Sequence, residues 1–223
     1  ASDLIPLGKA DLIISLEPME AMRYLGAGEG DDTLRQQLTE VASELTAALE
    51  PRYVYRVFDL AREDSAIRLA GTSVRLTGAT ASTMLAQCRR AALLACTLGS
   101  GFDTLLRKEQ ARDMGRAVML DACGSAWVES GCNAAEEELR VRLPGLFLTD
   151  RFSPGYGDLP LDIQPAVCAA LDAGRRVGIH VSDSFLMNPM KSVTAVIGIA
   201  DRPQMARVRG CAYCAMAASC RLR

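Results

Sequence analysis

About forty residues, from 102 to the Pro144-Gly145 pair, carry a helical pattern, and a helical stretch of that length constrains everything packed around it. The pattern predicts a short helix and then a long one. In the long one Val118, Ala122, Ser125/Ala126 and Glu129 fall at i, i+4, i+7/8 and i+11, so they share a face. Gly124, Ser125 and Gly131 leave that helix thin in the middle, which permits close approach of another backbone or of a ligand. "AAEEELRVR" reads as its solvated C-terminal end.

The segments on either side read as strands and shorter helices. Apolar residues at Leu34, Leu38, Val41 and Leu45 predict a helix capped at Asp32 or Thr33 and stopped by Pro51. "RYVYRVFDL" alternates β-branched and aromatic residues, and "AIRLAG" and "SVRLTG" follow as two short strands. A helix is expected over 79–89, then a buried strand, "AALLACTLG". After the long helix come a short strand "LFLTD", a turn-rich loop, a helix over 161–173, strand-like "VGIHV" and the strand "SVTAVIGIA". Adjacent strands without regular β-α alternation predict a single α+β domain with a mostly antiparallel twisted sheet, flanked by helices. That domain is expected over 19–205, after an N-terminal extension or edge strand over 1–18 and before a cysteine-containing tail over 206–223.

Composition narrows the function. With 49% apolar and 23% charged residues and a net charge of −2, the chain reads as an ordinary soluble globular protein. No basic surplus exists for phosphate contacts, so nucleic acid is a poor partner. No apolar run approaches the roughly 18 to 20 residues that span a bilayer, which excludes a membrane partner of that kind. Asp3 and Asp11 near the N-terminus do not fit a signal peptide, so a cytoplasmic location is expected. The one histidine, His180, sits in an apolar run with no partner at metal-ligand or triad spacing. Nucleophile-elbow, Walker and dinucleotide motifs are absent.

Five of the eight cysteines, Cys88, Cys96, Cys123, Cys132 and Cys168, lie among apolar residues and read as core. The other three, Cys211, Cys214 and Cys220, form C-x2-C-x5-C between arginines. Close thiolates of that kind suit zinc or an iron–sulfur cluster, although no fourth ligand is evident locally and unligated thiols are the alternative.

The turn-rich loop is "RFSPGYGDLPLDIQP", residues 151–165. Pro154-Gly155 fixes a turn and Gly157 lets the chain reverse again, so Arg151 and Tyr156 project from one short segment. Arginine's planar fork suits a carboxylate or phosphate, and the tyrosine offers a ring and a hydroxyl. The alternative is a plain connection in which Arg151 pairs with Asp150, Asp158 or Asp162.

This loop, followed by "VGIHVSDSFLMNPMKSVTAVIG", resembles the reactivation domain of cobalamin-dependent methionine synthase. That family carries an arginine, Pro-Gly-Tyr, a helix, then Glu-Ser-Phe-x-Met-x-Pro-x-x-Ser-Val. Here the last element is "DSFLMNPMKSV", with Asp183 in place of the glutamate. The similarity is good over about 150–199, weaker back to about 110, and before that extends only to the order of elements.

The resemblance implies a free-standing accessory protein that binds S-adenosylmethionine and docks on a corrinoid partner. The partner would be a methionine synthase or related protein that carries the cobalamin. With an electron donor, the sulfonium methyl would return oxidised cobalamin to methylcobalamin. Such a protein is the reactivation component of a methyltransferase rather than a complete enzyme. By the same resemblance Arg151 would hold the ligand carboxylate, the backbone at Ser153 would contact the adenine end, and Gly155 would belong to the same cofactor-binding loop. Tyr156 would pack near the ligand and face the corrin, and Glu129 would meet the amino group. An ion pair of Glu129 with Arg116 or Arg90 is the alternative. The family also uses an acidic residue near the domain's beginning, for which Asp59 is the candidate. Its domain does not end in a cysteine cluster, so an iron–sulfur cluster here would add a route for the reducing electron. A corrinoid-protein scaffold or chaperone without methylation is the second reading. An independent methyltransferase is a third, against which stands the missing glycine-rich strand-loop-helix.

Overall fold

The structure, a computed structural model, describes residues 32–204. The readings placed on the N-terminal extension, the first helical segment and the cysteine tail with Cys211, Cys214 and Cys220 lie outside the described residues.

Helix α1 (Asp32–Ala48) buries Leu38, Val41, Ala42 and Leu45, an i, i+3, i+4, i+7 stripe. Pro51 ends it, and β1 (Arg52–Glu63) begins at once. β1 runs three residues beyond its expected end because its last four residues form a hairpin with β2 (Ala66–Leu69), which pairs in turn with β3 (Arg75–Leu76). The body of β1 lies antiparallel to β4 (Arg90–Thr97), from Arg52 opposite Thr97 to Asp59 opposite Arg90. On the far side of β4 lies β8 (Ser192–Ala200), with β5 (Phe147–Leu148) at its edge, so the antiparallel sheet has the order β3-β2-β1-β4-β8-β5.

Helices cover both faces of this sheet, which is why β4 reads as an unbroken apolar run. Ala92, Leu94 and Cys96 point into one core, with α1, α3 (Ser100–Gln110) and α4 (Met114–Arg142). Ala91, Leu93 and Ala95 point into the other, with α2 (Gly78–Met84), α5 (Gln164–Leu171) and α6 (Ala173–Val177). At 29 residues α4 is about 43 Å long and passes behind the sheet. What approaches its thin middle is core. A β-carbon on Gly124 would stand 2.3 Å from the Phe102 ring, and one on Gly131 would stand 2.5 Å from the Pro51 side chain.

Two expected helices differ from the sequence reading. α2 stops at Met84 rather than continuing to 89, because Arg62 reaches across and binds the chain as it turns away. Its Nη2 donates to the carbonyls of Leu85 (2.7 Å), Ala86 (2.9 Å) and Cys88 (3.2 Å). The segment over 161–173 is a 3₁₀ turn (Leu161–Ile163) followed by α5. It breaks at Asp172, which takes the left-handed conformation (φ 53°) that aspartate tolerates, and restarts as α6. "VGIHV" supplies only β6 (His180–Val181), paired with β7 (Met187–Asn188) in a separate ribbon where His180 is exposed.

The five core cysteines are buried and unbridged. Burial pushes the thiols of Cys88, Cys123 and Cys168 up to about 11, so they stay protonated at neutral pH. Among the described residues no group of three or more His, Cys, Asp and Glu is placed to hold a metal ion. No described helix is long and apolar enough to cross a membrane.

Candidate functional site

Arg151 is fixed by the strand edge on which it stands. β5 pairs with the end of β8, and just past it Phe152 forms an isolated bridge with Val196, through bonds of 3.1 and 2.8 Å. Phe152 turns into the core of α2, α5 and α6, and Arg151, its neighbour in an extended segment, turns toward α4. Its guanidinium bonds Asn133 Oδ1 at 2.8 Å and makes close ion pairs with Glu136 through Nη1 and with Glu129 through Nη2. None of the acids near it in sequence (Asp150, Asp158, Asp162) is a partner in these ion pairs. Glu129 does not pair with Arg116, which binds Glu44 and Glu109, nor with Arg90.

The side chain of Arg151 is only 9% exposed and that of Glu136 4%, whereas Glu129 is 38% exposed. Glu136 therefore corrects the reading of "AAEEELRVR" as a fully solvated helix end. Burial works against the charge on Arg151. The surrounding groups, Cys132 with the Glu129 and Glu136 carboxylates, outweigh it and raise the pKa above the usual guanidinium value. The positive charge is permanent.

The expected face of α4 is only partly as drawn: Ala122 and Ala126 are buried, Ser125 and Glu129 half-buried, and Val118 exposed. Asp121, Ser125, Glu129 and Asn133 follow one another at four-residue steps and form a polar stripe that Glu136 continues. The second quoted motif meets this stripe too. Lys191 of "NPMKSV" places its Nζ 3.0 Å from Asp121 Oδ2 and 2.8 Å from Ser125 Oγ. Sequence reading missed Asn133, Glu136 and Lys191. Extending the spacing from Glu129 by four and seven residues finds the first two.

The loop after Arg151 is bolted down. Gly155 N–H donates to Leu159 O (2.9 Å), Tyr156 N–H to Ser153 O (3.0 Å) and Leu159 N–H to Tyr156 O (3.1 Å). Gly155 and Gly157 both have positive φ (85° and 58°), and a β-carbon on Gly157 would stand 2.5 Å from Thr80 Oγ1. Asp158 caps α2 by accepting from Ala79 N–H (2.5 Å) and Thr80 N–H (2.9 Å). Tyr156 is left 36% exposed at the loop surface, beside the exposed Gly155 and half-buried Ser153. Asp59 is exposed on β1.

The bonds from Thr80 and Ala79 hold the Asp158 carboxyl down to about 2. A depressed carboxyl contributes stability that is present above its unfolded value near 4 and lost as pH falls toward 2. Asp158→Ala is therefore expected to flatten the dependence of the thermal midpoint on pH between about 4 and 2. A variant whose slope matches the parent's would show that the cap does not titrate with folding.

A groove of about 320 Å³ runs between α3 and α4, lined by Leu106, Gln110, Met114, Val118, Asp121 and Ser125. It meets the stripe at Ser125, one helical turn from Glu129, and takes no residue from the loop.

One solved structure, a crystal structure of the MetH reactivation domain bound to AdoHcy, superimposes with a TM-score of 0.68 over 93% of this chain and 82% of that one, at 16% identity. The fold is that of the MetH reactivation domain. At this identity the likeness establishes shared architecture. No family model matches the sequence, and no curated protein matches it.

Proposed function

We propose that the chain binds S-adenosylmethionine at Arg151 and Glu129 and serves as the reactivating partner of a corrinoid protein. The observation that carries this reading is an Arg151–Glu129 ion pair with one buried and one half-exposed member, on the fold of a domain whose solved structure holds AdoHcy. The amino-acid end of S-adenosylmethionine is a zwitterion, and an ion pair is its electrostatic complement. The ligand carboxylate takes the place of Glu129 on the Arg151 fork, and Glu129, already near solvent, receives the ligand ammonium. Glu136 and Asn133 stay on Nη1 and keep the guanidinium aimed. Charge is conserved throughout, so no ion is stranded. The backbone at Ser153 and Gly155 borders the adenine end, and Tyr156 stands at the exposed rim. With the partner's cobalamin as methyl acceptor, one electron from a donor and the sulfonium methyl yield methylcobalamin and release S-adenosylhomocysteine.

Calorimetric titration tests the binding step. The parent chain is expected to bind S-adenosylmethionine, Glu129→Gln to weaken it by about tenfold or more, since a charge-assisted contact is worth at least about 1.5 kcal/mol, and Tyr156→Ala to weaken it by less, through lost packing at the rim. No heat of binding from S-adenosylmethionine, or equal affinity in all three proteins, would overturn the proposal.

A further inference from the structure

The groove between α3 and α4 is bounded by groups that the S-adenosylmethionine reading leaves unused. Its wall is apolar. Met114 and Val118, one helical turn apart on α4, are 62% and 51% exposed, and the buried Leu106 of α3 completes the lining beside them. Its end is charged. Lys191 Nζ stands 3.0 Å from Asp121 Oδ2 and 2.8 Å from Ser125 Oγ, and both of those residues line the groove. The Ser125 hydroxyl donates in turn to the Asp121 carbonyl at 3.1 Å, which fixes where the ammonium sits. The three groups therefore meet at one point, and they can be reached: the Asp121 side chain is 49% exposed and that of Lys191 16%.

A lysine ammonium carries three N–H donors, and the third on Lys191 has no acceptor among the described residues. The Phe102 ring lies 5.9 Å off, near the limit of a cation–π contact. Asp121 Oδ1 likewise accepts no bond among the described residues. A spare donor and a spare acceptor of opposite charge thus stand side by side at the end of an apolar channel. A lone carboxylate would meet Lys191 against the repulsion of Asp121, and a lone amine would face the converse. A zwitterion satisfies both and leaves no net charge in the groove. At about 320 Å³ the space lies at the lower end of the roughly 300–1,000 Å³ of small-molecule sites, which suits a ligand of one residue's size. We infer that the groove binds a free α-amino acid with an apolar side chain. Lys191 takes its carboxylate, Asp121 its ammonium, and its side chain covers Met114 and Val118. Burial of that apolar area drives binding, and the ion pair sets the orientation. The site shares no residue with the S-adenosylmethionine reading and stands whether or not that reading does.

The test is titration with L-methionine, followed by calorimetry or ligand-observed NMR, because its amino-acid end matches that of S-adenosylmethionine and makes the two sites distinguishable. Saturable binding by the parent is expected. L-Alanine, which lacks the apolar body, and N-acetyl-L-methionine, which lacks the ammonium, should each bind about tenfold more weakly or worse. Asp121→Asn should weaken L-methionine by a similar factor and shrink its advantage over the N-acetyl form, since the charge that tells them apart is gone. Val118→Ser should weaken it severalfold. Both positions are about half exposed, so the variants should melt as the parent does. Glu129→Gln should bind L-methionine as the parent does while losing affinity for S-adenosylmethionine. Absence of saturable L-methionine binding, or unchanged affinity in Asp121→Asn, overturns the inference. So does weakening by Glu129→Gln in place of Asp121→Asn, which puts the amino acid on Arg151 instead.

Discussion

Arg151→Ala is expected to lower stability by about 3–5 kcal/mol, a loss on the order of 10 °C in the thermal midpoint for a chain of this size. The cause is what the substitution leaves behind. Glu136, 4% exposed, would lose its close ion pair and be left with the longer 3.4 Å contact to Arg140 as its cation partner among the ion pairs described, and a buried carboxylate deprived of its main counter-ion is among the costliest defects a fold can carry. Glu129→Gln should cost far less, because that carboxylate is 38% exposed and water can replace its partner. Circular dichroism melts of the two variants check the ordering. Equal midpoints would mean that the buried network holds nothing together. The same asymmetry explains why Glu129 and Tyr156 are the sharper probes of ligand binding: loss of binding in Arg151→Ala could follow from loss of the fold.

The second large effect opposes helix propensity. Alanine in place of glycine inside an exposed helix gains about 1 kcal/mol. At Gly124 and Gly131 the sign should reverse, with net destabilisation of about 1–3 kcal/mol. A β-carbon at Gly124 would stand 2.3 and 2.4 Å from two atoms of the Phe102 ring, and one at Gly131 would meet Pro51 at 2.5 Å and Cys96 Sγ at 2.7 Å. A proline and a fully buried ring have little room to retreat. Urea midpoints for Gly124→Ala and Gly131→Ala decide it, and a rise in either would show that α4 is loosely seated there.

The sequence made the sheet's centre readable because β4 and β8 are buried on both faces and so appear as apolar runs bounded by glycine or polar residues. The long helix was readable from its pattern and its Pro-Gly stop. Where α2 ends was not, since the residue that stops it, Arg62, comes from another strand and binds backbone carbonyls that carry no sequence signature. Nor was the break at Asp172, which depends on one residue adopting a left-handed conformation inside a helix-favouring run. At the site, the sequence picked out Arg151 and Glu129 as separate anchors for opposite charges and did not foresee their pairing with each other. Proximity along the chain favoured Asp150, Asp158 and Asp162 as partners, but an extended strand edge aims its side chain at whatever packs across from it, here α4.

The sheet order has a consequence for how the chain reaches this state. β4 sits between β1, which precedes it by about thirty residues, and β8, which follows about a hundred residues later. Synthesis at about 5–20 residues per second therefore leaves β4 with one edge unpaired for roughly 5–20 s. During that interval an apolar strand with open backbone groups is available for the wrong contacts. Non-local pairing of this kind also slows folding itself. Docking of the "NPMKSV" segment through Lys191 and Asp103 immediately precedes β8, so the same late event that closes the sheet also completes the polar stripe on α4.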